Sequence, residues 1–224
     1  MAVIVKDPEG PTDRSHVRRN PSRGHYDRAS IDAVLDAVLI AHVAFVDSGQ
    51  PVCIPFLHAR IDDAIYIHGS TASRAMRILG SEAPACVTVT SLDGLVLARS
   101  AFDHSANYRS AVLFGSFLRV TEDEQRIAAL AAFTNKLLPG KWTEVRGPSS
   151  SELKATVVLA MTISESSVKV RTGPPTDDEG PDAVLDIWAG VVPIETRYGL
   201  PLPSPRLRPD IPIPPSVDRL LGAD

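Results

Sequence analysis

Several features that would point to a function are scarce or missing in this chain. Only two of its 224 residues are cysteines, Cys53 and Cys86. That excludes a disulfide framework and any CxxC metal or redox pair. Both lie in apolar runs and read as buried free thiols of a reducing compartment. No run approaches the roughly 18 apolar residues that span a bilayer. The opening MAVIVKDPEGPTDR lacks the charged start and apolar core of a secretory signal, so a cytoplasmic protein without a membrane segment is expected. Positive charge is not in excess: the net charge is -4, which opposes a general nucleic-acid binder, because such surfaces must neutralise phosphates. HExxH, GxSxG and a Gly-Lys-Ser/Thr phosphate loop are all absent, removing the motif grounds for a zinc protease, an α/β-hydrolase or a Walker nucleotidase.

What is present suits one soluble domain with extensions. A hydrophobic content of 44% and a charged content of 22% allow a substantial core. Residues 1–26 form a polar arm with Arg14, Arg18, Arg19 and Arg23 among Pro, Asn, Ser and Gly. The arm has too little apolar surface to fold alone and is expected to lie on something else. Residues 27–170 are the folded body. Residues 171–224 hold 11 of the 19 prolines, which rules out long helices and central strands and predicts an extended tail. Within it, residues 187–192 are apolar enough to require docking.

In the body, Asp27 or Ser30 caps a helix to about Leu39, with Ile31, Val34, Leu35 and Val38 on one face. Short strand-like runs follow at 42–46, 51–57, 64–68, 85–90 and 94–99, separated by Ser-Gly, Asp-Asp and Asp-Gly turns. Thr121 and Glu124 fit a capping box opening a helix whose buried stripe reads Ile127, Leu130, Thr134, Leu137 and Leu138, stopped by Pro139-Gly140. Residues 155–163 supply a last strand. The pattern predicts a mainly β fold with flanking helices, arranged as an antiparallel barrel or sandwich.

Two constellations carry chemistry. The segment from Leu92 to Gly115, LDGLVLARSAFDHSANYRSAVLFG, crowds Arg99, His104, Asn107, Tyr108, Arg109 and several hydroxyls between two apolar runs, as a site-lining loop on a sheet does. Each arginine there could equally pair with a carboxylate on a solvated rim. In Tyr66-Ile67-His68-Gly69-Ser70-Thr71-Ala72-Ser73-Arg74, a strand ends at a glycine and a helix opens over 72–79. Free N–H groups, the Ser70 and Ser73 hydroxyls and Arg74 then offer a phosphate cradle, with simple serine caps as the alternative. His42, His58, His68 and His104 fall on different elements without metal-ligand spacing and read as structural residues. His104, in the polar loop, is the exception as a candidate proton donor. Asp103, His104 and Ser105 are sequence neighbours and so do not make a hydrolase triad.

Taken in order, RRNPSRGHYDR, HVAFV, IYIHGSTASRAMRIL, LDGLVLARSAFDHSANYRSAVLFG, PGKW, ELKAT, VKVRTGPP and WAGVVP resemble the flavin-nucleotide-binding branch of the pyridoxamine 5'-phosphate oxidase-like family. That resemblance implies a split β-barrel homodimer holding FMN at the subunit interface, with the arm and tail wrapping the barrel or its partner. It implies that Ser70, Ser73 and Arg74 surround the FMN phosphate and that Pro55, Ile67, His68 and Gly69 approach the flavin. Asn107, Tyr108, Arg109 and Ser110 would reach the cofactor, from the same or the second subunit. Arg109 would then be the electrostatic partner of the reduced ring, and Trp142 or Trp188 a cover for it. The substrate-phosphate arginines of true vitamin B6 oxidases have no counterparts here. The implied activity is electron transfer from FMN, reduced by a nicotinamide or deazaflavin donor, to a small organic acceptor. The alternative is a carrier or sensor of flavin, or of haem in its place.

Overall fold

Asp27 opens the folded body: its carboxylate accepts the Ser30 backbone N–H at 2.9 Å and the Ser30 hydroxyl at 2.8 Å, which starts a helix. The computed structural model describes residues 10–177 and 180–220. Its elements in chain order are β1 (Gly24–His25), α1 (Arg28–Ala37), β2 (Ile40–Asp47), β3 (Gln50–Ile61), β4 (Ala64–Ser70), α2 (Arg74–Leu79), β5 (Pro84–Leu97), β6 (Ser105–Ser116), β7 (Leu118–Arg119), α3 (Asp123–Leu137), α4 (Ser150–Ala155), β8 (Thr156–Thr162), β9 (Glu165–Arg171), β10 (Gly190–Pro193) and α5 (Pro215–Leu220).

The strands form one antiparallel path, β1-β9-β6-β5-β2-β3-β4-β8-β7, with β10 added to β5. β3 creates the split. Its first residues, from Gln50 to Leu57, pair with β2, and its last, from His58 to Ile61, pair with β4. One strand thus belongs to two half-sheets and turns the corner between them. Alternation puts Ala41, Val43 and Phe45 of β2 inward against Val87, Val89 and Leu113. Ile31 and Leu35 of α1 and Met76 and Leu79 of α2 fill the remaining core. The result is the expected mainly β split barrel with flanking helices. Among the described residues no helix is long and apolar enough to cross a membrane.

Several local expectations need correction. The first helix stops at Ala37 rather than Leu39, because Val38 is already extended. The runs at 85–90 and 94–99 are one strand, β5. Asp93-Gly94 is not a turn but a register shift between Leu92 and Gly94, where one extra residue is accommodated. Asn107 to Ser110 therefore lie inside β6 and not in a loop, and the true connection is 98–104. The Thr121/Glu124 capping box does not form, since the cap residue of α3 is Glu122, without a side-chain bond. The buried side of α3 is Ala129 and Phe133, while Ile127 and Leu137 are exposed. The real capping box is Ser149/Glu152, opening α4. β9 extends the body beyond the strand expected to be last. Neither cysteine is buried: Cys53 is exposed and Cys86 half-buried, both as free thiols.

The cysteines face outward for a reason that matters. Ala44 stands level with Cys53 on one side and Cys86 on the other, and His42 with Pro55 and Thr88. Together with Ile40, Val46 and Leu57 these make an outer sheet face. Residues 40–46, 51–57, 85–92 and 110–117 contain no Asp, Glu, Lys or Arg. The charge on this face lies at its β9 edge, where Glu165 stands opposite Phe114 and Arg14 pairs with Glu165 and covers the Phe114 ring at 4.7 Å.

The β3 corner also holds a buried base. His58 is fully buried, and its Nε2 accepts from Lys136 Nζ at 2.7 Å, while Nζ donates to Leu35 O at 2.7 Å. Burial first, and the Lys136 charge second, lower the His58 pKa from 6.5 to about 4. The unfolded chain therefore takes up a proton that the native state refuses between pH 6.5 and 4, so stability falls on acidification through that window. A shift of this size corresponds to about 3 kcal/mol. Denaturant unfolding at a series of pH values should show that loss, and His58→Gln should flatten it. An equally steep profile in the variant would assign the effect to other groups.

Candidate functional site

The strand-to-helix turn is built as its sequence dictates. A Cβ on Gly69 would lie 2.8 Å from Met76 Cγ, so only glycine lets α2 fold back against β4. Ile67 is core. The Ser70 hydroxyl accepts the Ala72 N–H at 3.2 Å, the Ser73 hydroxyl accepts the Met76 N–H at 3.4 Å, and the Ser73 N–H closes the turn on Ser70 O. Both serines thus act as caps, and each hydroxyl keeps its own hydrogen to donate. The helix begins at Arg74 rather than Ala72. Arg74 reaches out to Asp47 at the β2–β3 turn, with its side chain 69% exposed. β3 and β4 pair only from His58 to Ile61, so Pro55, which stands opposite His42, lies three residues before the first β3–β4 pair, and Ser70 stands opposite Thr156.

The second constellation comes together differently. Arg109 makes a two-pronged pair with Asp93 at 2.9 and 2.8 Å and also donates to Ser91 at 3.2 Å. Its guanidinium holds the Asp93 carboxyl below the usual carboxylate range. Asn107 is buried, accepting from Arg171 and donating to Gly173 O at 3.1 Å. Arg99 binds Asp177 through its backbone N–H and its guanidinium. His104 is exposed, and its Nδ1 donates to Ser100 O at 2.8 Å, which leaves Nε2 outward. Tyr108 is half-buried opposite Leu92 and Arg171, and Ser110 stands opposite Thr90 and Lys169. Asp93, Asp47 and Arg171 were not anticipated as partners, because nothing in local spacing links residues that pair only across strands.

Within one copy these two groups do not meet. β6 and β4 are separated by β5, β2 and β3. The stretch 91–97 with 105–109 runs past the first residue of β2 as a two-stranded arm, to which β10 adds a third strand.

A feature missed in the sequence lies beside the turn. His68 sits two residues before Ser70 on the same side of β4 and lines a cavity of about 470 Å³ walled by Leu57, Leu130, Phe133, Leu137, Trp142 and Val145, with Arg146 and Glu152 also contributing. The His68 ring lies 4.4 Å from that of Phe133. Its Nδ1 is buried without a hydrogen-bond partner among the described residues, and burial lowers its pKa. Trp142 thus walls this cavity, while Trp188 is mostly exposed on the tail. No signal short of the tertiary fold assembles strand, helix and the 142–148 loop around one imidazole.

The sequence profile described as pyridoxamine 5'-phosphate oxidase matches residues 27–170. No curated protein sequence matches the chain. Among solved structures, the flavocytochrome Anf3 from Azotobacter vinelandii is similar at 40% identity and a TM-score of 0.88, covering 95% of this chain and 98% of its own. The FAD and haem binding protein from Mycobacterium smegmatis is similar at 42% identity and a TM-score of 0.84, covering 88% of this chain and 97% of its own. A profile match over most of the body and two relatives matched over nearly their whole lengths lead to one conclusion: the chain belongs to the pyridoxamine 5'-phosphate oxidase family.

Proposed function

We propose that this protein is a flavin-dependent redox protein that also holds haem, passing electrons from the flavin to a small acceptor. The observation that carries the reading is adjacency: Ser70 opens the phosphate turn and His68 lines the apolar cavity, two residues apart on one side of β4. Ser70, Ser73 and Arg74 would take the ribityl phosphate common to FMN and FAD, with Pro55 and the end of β4 beside the ring. The names of the two relatives at 40% identity or above add haem to the flavin. The His68 cavity suits it in two respects, an imidazole kept neutral by burial, as a metal ligand must be, and apolar walls, whereas Arg146 at its rim is already held in a two-pronged pair by Glu152 at 2.7 and 2.6 Å. The unpartnered Nδ1 departs from the usual pattern, in which a ligating histidine donates its other N–H. When bound, the flavin supplies hydride or single-electron transfer and haem one-electron or dioxygen chemistry.

The site would be completed by a second copy. The largely apolar outer face carries Ile40 and Val46 at 42% and 61% exposure, and the tail carries Leu200 and Leu202 at 88% and 93%. A sheet face and a strap of this kind call for apolar cover. In a two-fold dimer the β5–β6 arm of one copy can reach the turn of the other. It would bring Arg109 as electrostatic partner of the reduced ring and His104 as proton donor, while Asn107, buried on Arg171 and Gly173 O, would hold the arm in shape rather than touch the ring. A reduced nicotinamide or deazaflavin is the donor class in this reading.

The test is the visible spectrum of the purified dimer, reconstituted with flavin and haemin. Both a flavin spectrum and a Soret band are expected. His68→Ala should lose the Soret band and keep the flavin, whereas Arg74→Ala should keep haem and bind flavin about 10- to 150-fold more weakly. A Soret band unchanged in His68→Ala would remove the haem from this cavity. A protein that takes up no flavin would end the redox reading.

A further inference from the structure

A second pocket opens on the far side of the phosphate turn. Thr71, between Ser70 and Ala72, lines a cleft of about 270 Å³ together with Arg119, Thr121, Arg126, Lys154 and Thr156. Three cations and three hydroxyls surround it, and no carboxylate contributes to its lining, in a chain whose net charge is -4. The three cations differ in what they already do. Arg126 is a structural fixture: it pairs with Asp123 at 2.6 Å and donates to Leu153 O and to Thr156 O, so it locks the start of α3 to the start of β8. Arg119, on β7, and Lys154, on α4, have no hydrogen bond or ion pair among the described residues, and both are exposed.

The geometry of the backbone explains why they converge. β7 pairs with β8 through Arg119 and Leu159, the Val120 N–H bonds Val158 O, and the Thr71 N–H bonds Ala155 O. The start of β8 is therefore gripped on one side by the phosphate turn and on the other by the β7 segment, and Lys154 immediately precedes it. Two uncommitted cations held together by neighbouring strands repel each other unless an anion lies between them. The Thr71 hydroxyl adds a donor suited to a phosphate oxygen, while Thr156 donates to Glu152 O at 2.9 Å and Thr121 to the Glu122 carboxylate at 3.4 Å.

We propose that this cleft is a phosphate-ester site in which Arg119 and Lys154 bind the anion and Arg126 frames it. Its position behind Thr71 fits the second phosphate of a flavin dinucleotide whose first phosphate rests on Ser70, Ser73 and Arg74. In that form the inference rests on the flavin reading above and makes the cleft the determinant of FAD over FMN. The same chemistry would also accept a separate phosphorylated ligand.

The test measures affinities of the full-length protein, stripped of cofactor, for FAD, FMN and inorganic phosphate by calorimetry. The wild type is compared with the Arg119→Ala/Lys154→Ala double variant, and thermal unfolding confirms that both are folded. The expected result is FAD binding weakened by about tenfold or more in the double variant, with FMN affinity within about twofold of wild type. If FAD and FMN are both unaffected but inorganic phosphate binding is lost, the site stands and its source is a separate phosphate ester. If FAD and FMN weaken alike, the cleft is part of the first phosphate's cradle and the proposal of a second site fails. If no binding changes, the two cations are solvated surface and the proposal fails outright. Should the wild type bind neither flavin, the flavin reading is lost, and the phosphate arm alone still decides whether the cleft binds anions.

Discussion

Ala44→Arg is expected to convert the protein to a monomer that no longer retains flavin. Ala44 lies on the outer sheet face, level with Cys53 and Cys86 and separated by β5 and β6 from the Arg14–Glu165 pair at its edge, and its neighbours Val43 and Phe45 point the other way into the core. The fold should therefore tolerate the change. A two-fold contact, however, meets the new charge twice, once from each copy. Burying an unpaired guanidinium costs several kcal/mol, so association should weaken on the order of a thousandfold or more. Analytical ultracentrifugation should show wild type at twice the 24.0 kDa chain mass and the variant at that mass itself. Because the β5–β6 arm and the phosphate turn are assigned to different copies, flavin retention should fall in parallel. A variant that remains dimeric would place the interface elsewhere. A monomer that keeps its flavin would show that the site is complete within one chain.

Asn107→Leu is expected to destabilise the fold by about 3 kcal/mol, because it strands a buried cation. Arg171 is only 5% exposed, and its guanidinium is held by neutral acceptors alone among the described residues: Asn107 Oδ1, Gly173 O and Pro174 O. Leucine fills the same space but removes the side-chain acceptor, and it leaves Gly173 O without the Asn107 donor at 3.1 Å. Asn107→Asp tests the cause, since it keeps an acceptor facing Arg171 and adds a counter-charge. Its stability should lie close to wild type in chemical denaturation at neutral pH. Equal losses in the two variants would mean that shape at position 107, rather than satisfaction of Arg171, sets the stability.

The NYRS stretch shows how much of the site could be read in the sequence. Its density of polar groups beside apolar runs marked it as a place of concentrated side-chain hydrogen bonding, which the structure realises as the Arg109–Asp93 and Arg171–Asn107 pairs. Local pattern could not show that Asn107 turns inward to serve Arg171, or that Arg109 is already engaged by Asp93. Both partners lie on neighbouring strands, and register across a sheet is set by pairing rather than by spacing along one strand. The serines of the turn were legible as both caps and hydrogen-bond donors, and the structure uses them as caps with donors to spare. His68 was a mixed case. Its spacing read as structural and the family resemblance placed it near the flavin, but the cavity it lines could not be seen, because Phe133 and Trp142 are more than sixty positions away in the chain.

By itself, the sequence determined the class of the fold, a helix cap at Asp27 or Ser30, the strand-to-helix turn before Arg74, the net negative charge and the membership of the family. These follow from local chemistry: periodicity, capping, the missing side chain at Gly69 beside Met76 and composition act within a few residues of one another. The tertiary structure alone decided that β3 serves two half-sheets and that Asp93 marks a shifted register within one long strand. It also decided that four strands turn a largely apolar face outward, that an apolar cavity opens against His68, and that Arg119 and Lys154 share a cleft with Thr71. Those are consequences of which strands pair, and pairing is fixed by burying the whole set of inward residues at once, which no single segment specifies.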